Sequence, residues 1–184
     1  MNSHGPSFAD GLNNSSPPMV NNASAGREVV VALEQAFAGL LAGVTVFVQS
    51  LPTELLYRNP NPEILTAATV GENVLRCAAI LEQVFGGLTA NLWDDPFEWT
   101  LPETLSTSDR IVEYIGEVDD ARQRAFVCFV DDSDLLKFVS VPSGQPRLLL
   151  NLLLETLVRA SSYQGCAVAT VKILGDAGQV GFII

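Results

Sequence analysis

Residues 29–51 read VVVALEQAFAGLLAGVTVFVQSL, and the way this run distributes its bulk governs the class of fold. Only Glu34, Gln35 and Gln49 are strongly polar in it, so by length and composition it would suffice to cross a bilayer. Its large side chains, however, are not spread evenly around a helix. Val30, Leu33, Phe37, Leu40, Leu41, Val44, Phe47, Val48 and Leu51 recur at steps of three and four, while Glu34, Ala38, Ala42, Thr45 and Gln49 fall largely off that stripe. Lipid demands no such sidedness, and packing against other helices does. The run is therefore expected to be a buried helix of a soluble protein, with no membrane as partner. It would start near Ser24, whose hydroxyl can cap orphan amides, and stop at Pro52.

Three further helices are expected downstream. Thr69-Val70-Gly71-Glu72 matches a reciprocal capping box, and Val70, Val74, Cys77, Leu81, Val84, Phe85 and Leu88 continue from it as one apolar stripe that Gly86 and Gly87 weaken at its end. A third helix begins near Ser106 and carries Ile111, Ile115, Val118 and Ala125 inward. The fourth opens at Pro146, a residue suited to the first helical position, and closes at Lys172 and Gly175. Its buried stripe is Leu149, Leu152, Leu153, Thr156, Ala160, Tyr163, Ala167 and Val171.

The connections are less uniform. Residues 52–68 hold two Asn-Pro dipeptides and read as a long crossover. The loop from Leu92 to Glu103 carries Asp94, Asp95 and Glu98 between Trp93, Phe97 and Trp99, an acidic segment pinned by aromatic anchors. Phe126–Val130 and Lys137–Val141 are short β-prone runs flanking Asp131-Asp132-Ser133-Asp134. A small hairpin before the last helix and a frayed helix end followed by a loop both satisfy them, the loop being marginally favoured. The fold class is all-α, a four-helix bundle with long crossover loops. Residues 1–23 are expected to be a disordered tail, 24–179 the bundle domain, and 180–184 an apolar C-terminal segment.

A formal charge of −11 argues against nucleic acid as a partner, because such a surface repels phosphate backbones. The three cysteines, Cys77, Cys128 and Cys166, form no C-x-x-C pair, and the N-terminal segment lacks an apolar signal run. A reducing, cytoplasmic compartment is expected. Cys77 and Cys166 are expected in the core, and the aspartate runs, lacking the spacing of a calcium loop, as solvated charge.

Thr69-Val70-Gly71-Glu72-Asn73-Val74-Leu75-Arg76-Cys77 resembles the Ser-Ile-Gly-x-His-x-x-His stretch that opens the second helix of DinB/YfiT-like bundle proteins, a superfamily of damage-inducible proteins and metal-dependent thiol transferases. Pro146-Arg147-Leu148 through Glu155-Thr156-Leu157-Val158-Arg159 is similar to the last helix of that superfamily, where Arg-x-Leu precedes a His-x-x-His-His cluster. Leu51 to Tyr57 resembles the connection after its first helix. The resemblance implies a fold in which histidines of the second and fourth helices hold a divalent metal at the bundle centre. In this chain Asn73 and Arg76 stand in place of the first group, and Glu155, Val158 and Arg159 in place of the second. In a neighbouring register the positions are Cys77, Val158 and Ser162.

The one histidine of the chain is His4, in the N-terminal tail, and guanidinium groups at a metal position would repel a cation. No metal and no other cofactor is expected. Two arrangements of the substituted residues remain open. Asn73, Arg76, Glu155 and Arg159 could form a central hydrogen-bonded charge cluster, with Arg76 opposite Glu155; alternatively, Glu155 and Arg159 form an exposed pair one turn apart.

Three functional readings follow. The first is a metal-free binding or interaction module with no catalytic constellation. The second is a transferase or hydrolase whose Arg76 and Arg159 hold a small anionic or thiol substrate. The third is a homodimer built through the first helix or through Val180–Ile184. The sequence leaves enzyme activity open and inclines toward the first.

Overall fold

The computed structural model of the protein describes residues 1, 26–61, 63, 67–96, 104–142 and 144–175. Among them the chain forms helices α1 (Glu28–Gln49), α2 (Thr53–Leu56), α3 (Val70–Ala90) and α4 (Ser108–Val127), a 3-10 turn (Asp132–Leu136), strands β1 (Phe138–Val139) and β2 (Arg147–Leu148), and helix α5 (Leu149–Ile173). The protein is thus mostly helical, as its periodicity predicts, with four of the five described helices long. The expectations for most of the tail before residue 24, for Ser24 as a cap, for Phe97, Glu98 and Trp99, and for residues 180–184 lie outside the described residues.

All nine residues of the predicted α1 stripe are buried. Helix α1 remains long and apolar enough to cross a membrane by length and composition. It packs against α4 and, more sparingly, α5, while α3 packs along both α4 and α5. Phe37 of α1, Phe85 of α3 and Phe126 of α4 meet in the core with ring centroids 5.2, 6.0 and 5.9 Å apart, and Phe129 joins Phe126 edge-on at 5.3 Å. Aromatic pairs of this kind add about 0.5–1.5 kcal/mol each beyond the area they bury.

The capping box at Thr69 forms as the sequence predicts, with Glu72 N donating to Thr69 Oγ1 at 3.3 Å and Thr69 N to Glu72 Oε2 at 2.7 Å. The start of α1 is different. Helix α1 begins at Glu28 behind Arg27, which supplies no side-chain cap, and its amides are taken by Asp132 from the 3-10 turn. Val29 N donates to Asp132 Oδ2 at 3.2 Å and Val30 N to Oδ1 at 2.9 Å. In exchange, Arg27 Nη2 donates to Phe126 O at the end of α4, at 3.1 Å. The acidic run read as solvated charge is therefore structural. Asp131 and Asp134 cap the turn itself, while Asp132 caps a helix more than one hundred residues away.

Two other boundaries are corrected. Pro146 does not open the last helix, because Arg147 and Leu148 pair as an antiparallel strand with Val139 and Phe138, and the helix starts one residue later. The hairpin weighed between 126–130 and 137–141 does not form, since Phe126 belongs to α4; 138–139 pair instead with 147–148 in a different hairpin. Leu149 N, the first amide of α5, donates to Lys137 O at 2.9 Å, so this hairpin orients the helix. Cys166 is exposed rather than in the core, since it lies on the outer side of α5, whereas Cys77 is fully buried.

Gly86 and Gly87 lie within α3, which runs on to Ala90 and ends at Asn91 in the left-handed conformation. Gly87 has a packing role. A Cβ there would lie 2.4 Å from the Trp93 indole, so the missing side chain lets the ring lie flat on the helix backbone. Gly71 does the same for Tyr57, whose hydroxyl donates to Leu105 O at 2.6 Å.

Arg122 is the one charged side chain buried among the described residues. Its Nε donates to Asp119 Oδ1 at 2.7 Å and its Nη1 lies 3.7 Å from Glu34 Oε1, tying α4 to α1. Burial raises the Asp119 carboxyl, but hydrogen bonds from Arg122 and Gln123 and the guanidinium charge outweigh it and leave the pKa below its ordinary value.

Candidate functional site

A cleft of about 240 Å³ opens between α3, α5 and the segment joining β1 to β2. Its floor is Val84 of α3 with Leu152 and Thr156 of α5. The Thr156 hydroxyl is committed, donating to Leu152 O at 2.6 Å. One side is closed by Trp93, fixed over Gly87, with its Nε1 donating to Asn91 Oδ1 at 3.1 Å and its carbonyl receiving Gln83 Nε2 at 2.9 Å. The other side carries Arg147, Glu155 and Arg159.

The charges on that wall come from two elements. Strand β2 carries Arg147 into the mouth, where its Nη2 pairs with Glu155 Oε2 on α5. Their side chains are 34% and 58% exposed, so water and salt weaken the pair. Arg159 stands one turn beyond Glu155 on the same wall. Two guanidinium groups and one carboxylate thus share a half-apolar recess.

The four-residue centre expected of Asn73, Arg76, Glu155 and Arg159 does not assemble. Asn73 is buried, but its Nδ2 turns back to Thr69 O at 2.9 Å within α3. Arg76 is exposed and is not among the residues lining the cleft. Helix α3 buries Val74, Leu75, Cys77, Ala78 and Ala79 around it and turns position 76 to its exposed side. Glu155 and Arg159 are both exposed, as in the second arrangement, and both line the cleft; the ion-pair partner of Glu155 is Arg147. Arg147 went unread as a site residue, and Trp93 was read only as an aromatic anchor of the acidic loop. Arg147 was visible only as part of the Arg-x-Leu likeness, and nothing local foretells that Gly87 seats an indole six residues on.

Elsewhere the chemistry is closed off. Burial pushes the Cys77 thiol up to about 12, so it stays a neutral core group at ordinary pH. Tyr114 donates to Glu82 Oε2 at 2.5 Å, and burial together with that carboxylate raises its phenol far above the usual range. Among the described residues no group of three His, Cys, Asp or Glu side chains converges where an ion could be held. A second cavity, of about 290 Å³, lies between the C-terminal ends of α3 and α4, strand β1 and the start of α5.

Comparison of the chain with protein-family models, with curated proteins and with solved structures finds no match.

Proposed function

We propose that the chain is a metal-free, non-catalytic binding module on a DinB-like four-helix bundle, and that its α3–α5 cleft takes up a small carboxylate- or phosphate-bearing ligand through Arg147 and Arg159. The carrying observation is the presence of both guanidinium groups at one recess of a chain whose formal charge is −11. A guanidinium fork suits the two oxygens of a carboxylate or phosphate. Glu155 occupies Arg147 in the free protein, so an incoming anion exchanges with it, and a cleft of this volume admits only a compact ligand. Val84, Leu152 and the Trp93 ring offer apolar surface to its body.

A binding role is preferred over a reaction because the Thr156 hydroxyl is tied to a backbone carbonyl, so among the described residues no free hydroxyl or thiol lines the cleft for Glu155 to activate. The DinB-like reading is supported by the four long helices, the Thr69 capping box opening α3 and Arg147 just ahead of α5. The test is a thermal-shift screen of short carboxylates and phosphates, followed by titration calorimetry of any hit. Anions that stabilise the wild type should lose their effect on Arg147→Ala and Arg159→Ala and keep it on Arg76→Ala. If every anion acts alike on wild type and on the Arg147→Ala/Arg159→Ala double variant, the proposal fails.

A further inference from the structure

The second cavity shares no residue with the arginine cleft and has a different chemistry. Leu88, Ala125, Phe129, Phe138, Val139 and Leu149 supply its apolar walls. The polar groups at its edge are already used. Thr89 Oγ1 donates to Phe85 O at 2.7 Å, the Lys137 ammonium is paired with Asp134, and Asp134 also accepts from Val130 N at 2.6 Å. A charged ligand would have to displace these contacts, whereas a neutral one leaves them in place.

Phe138 lines the cavity yet is 71% exposed, and Val127, Val130 and Leu136, close in sequence to lining residues, are 80%, 77% and 62% exposed. At about 290 Å³ the recess, open to solvent on one side, has room for a small ring or a short chain.

We infer that this pocket is a second ligand site, one that takes a small neutral apolar molecule bearing an aromatic ring or a short aliphatic chain. The inference is independent of the arginine cleft. Transfer of the ligand from water drives binding, with Phe138 closing over it as a flap that exchanges solvent contact for ligand contact.

The chain carries its own reporter. Cys128 lines the pocket and is exposed; Cys166 is exposed on α5 and lines neither cavity; Cys77 is buried. The full-length protein is alkylated with N-ethylmaleimide with and without saturating indole or hexanol, and the rate at each cysteine is read by peptide mass spectrometry. At least one probe should slow Cys128 several-fold and leave Cys166 unchanged. Thr89→Trp, which plugs the edge of the pocket from an exposed position, should abolish that protection while melting as a folded protein. Equal rates at Cys128 with and without both probes, equal slowing at both cysteines, or undiminished protection in folded Thr89→Trp would each overturn the assignment.

Discussion

Replacing Asp132 by alanine removes the side chain that, among the described residues, caps α1, although the two lie far apart in sequence. The carboxylate accepts from Val29 N at 3.2 Å and Val30 N at 2.9 Å, and Arg27 at the cap position has no side-chain bond to replace it. Loss of an N-cap costs about 1 kcal/mol, and loss of a negative charge at a helix N-terminus adds about 0.3–1 kcal/mol. Asp132→Ala should therefore destabilise by about 1.3–2 kcal/mol, which for a chain of this size lowers Tm by roughly 3–8 °C. Asp132→Asn keeps one acceptor oxygen, enough for the shorter bond from Val30 N, and loses the charge and the bond from Val29 N, so it should cost less than Asp132→Ala. Urea denaturation followed by circular dichroism measures both. A loss below about 0.5 kcal/mol for Asp132→Ala, the range of an ordinary surface change, would refute the reasoning. So would equal losses for the two variants, because the bond from Val30 N that asparagine can retain would then contribute nothing.

Gly87→Ala would gain about 1 kcal/mol of helix propensity in an open position, but here the added methyl strikes the Trp93 ring at 2.4 Å. The variant should show red-shifted tryptophan emission and weaker anion binding, and unchanged emission would contradict the packing. Asp119 has a lowered pKa, so its stabilising contribution is complete above its ordinary value of 3.8 and disappears as pH falls through the lower, folded value. Stability of the wild type should accordingly fall more steeply below about pH 4 than that of Asp119→Asn, as read from urea midpoints across pH. In native protein at neutral pH a thiol reagent should modify Cys128 and Cys166 promptly and Cys77 only after unfolding. Prompt reaction of all three would show that the α3 core opens readily.

Much of the helical skeleton was readable along the chain. The α1 stripe, the Thr69 capping box, most inward positions of α3, α4 and α5, and the closing Gly175 all reflect relations within four or so residues, which sequence spacing records directly. The arginine cleft was half legible. Glu155 and Arg159 share one face of one helix and were read together, whereas their companion Arg147 arrives from a strand whose partner, Val139, lies eight residues back around a turn. Arg76 misled because the apolar pattern shows which face of α3 is buried but not how completely its neighbours enclose it.

Taken alone, then, the sequence determined that the chain is mostly helical, where its long helices run, and which side of each is apolar. Tertiary structure alone decided that Asp132 caps α1, that Trp93 rests on Gly87, that Glu155 pairs with Arg147 and that an apolar pocket opens beneath Phe138. The division has a physical cause. Helix periodicity and local caps depend on neighbours along the backbone, but an ion pair, a seated ring or a cavity depends on which surfaces meet after the chain has closed on itself, and many pairings are compatible with the same apolar stripes.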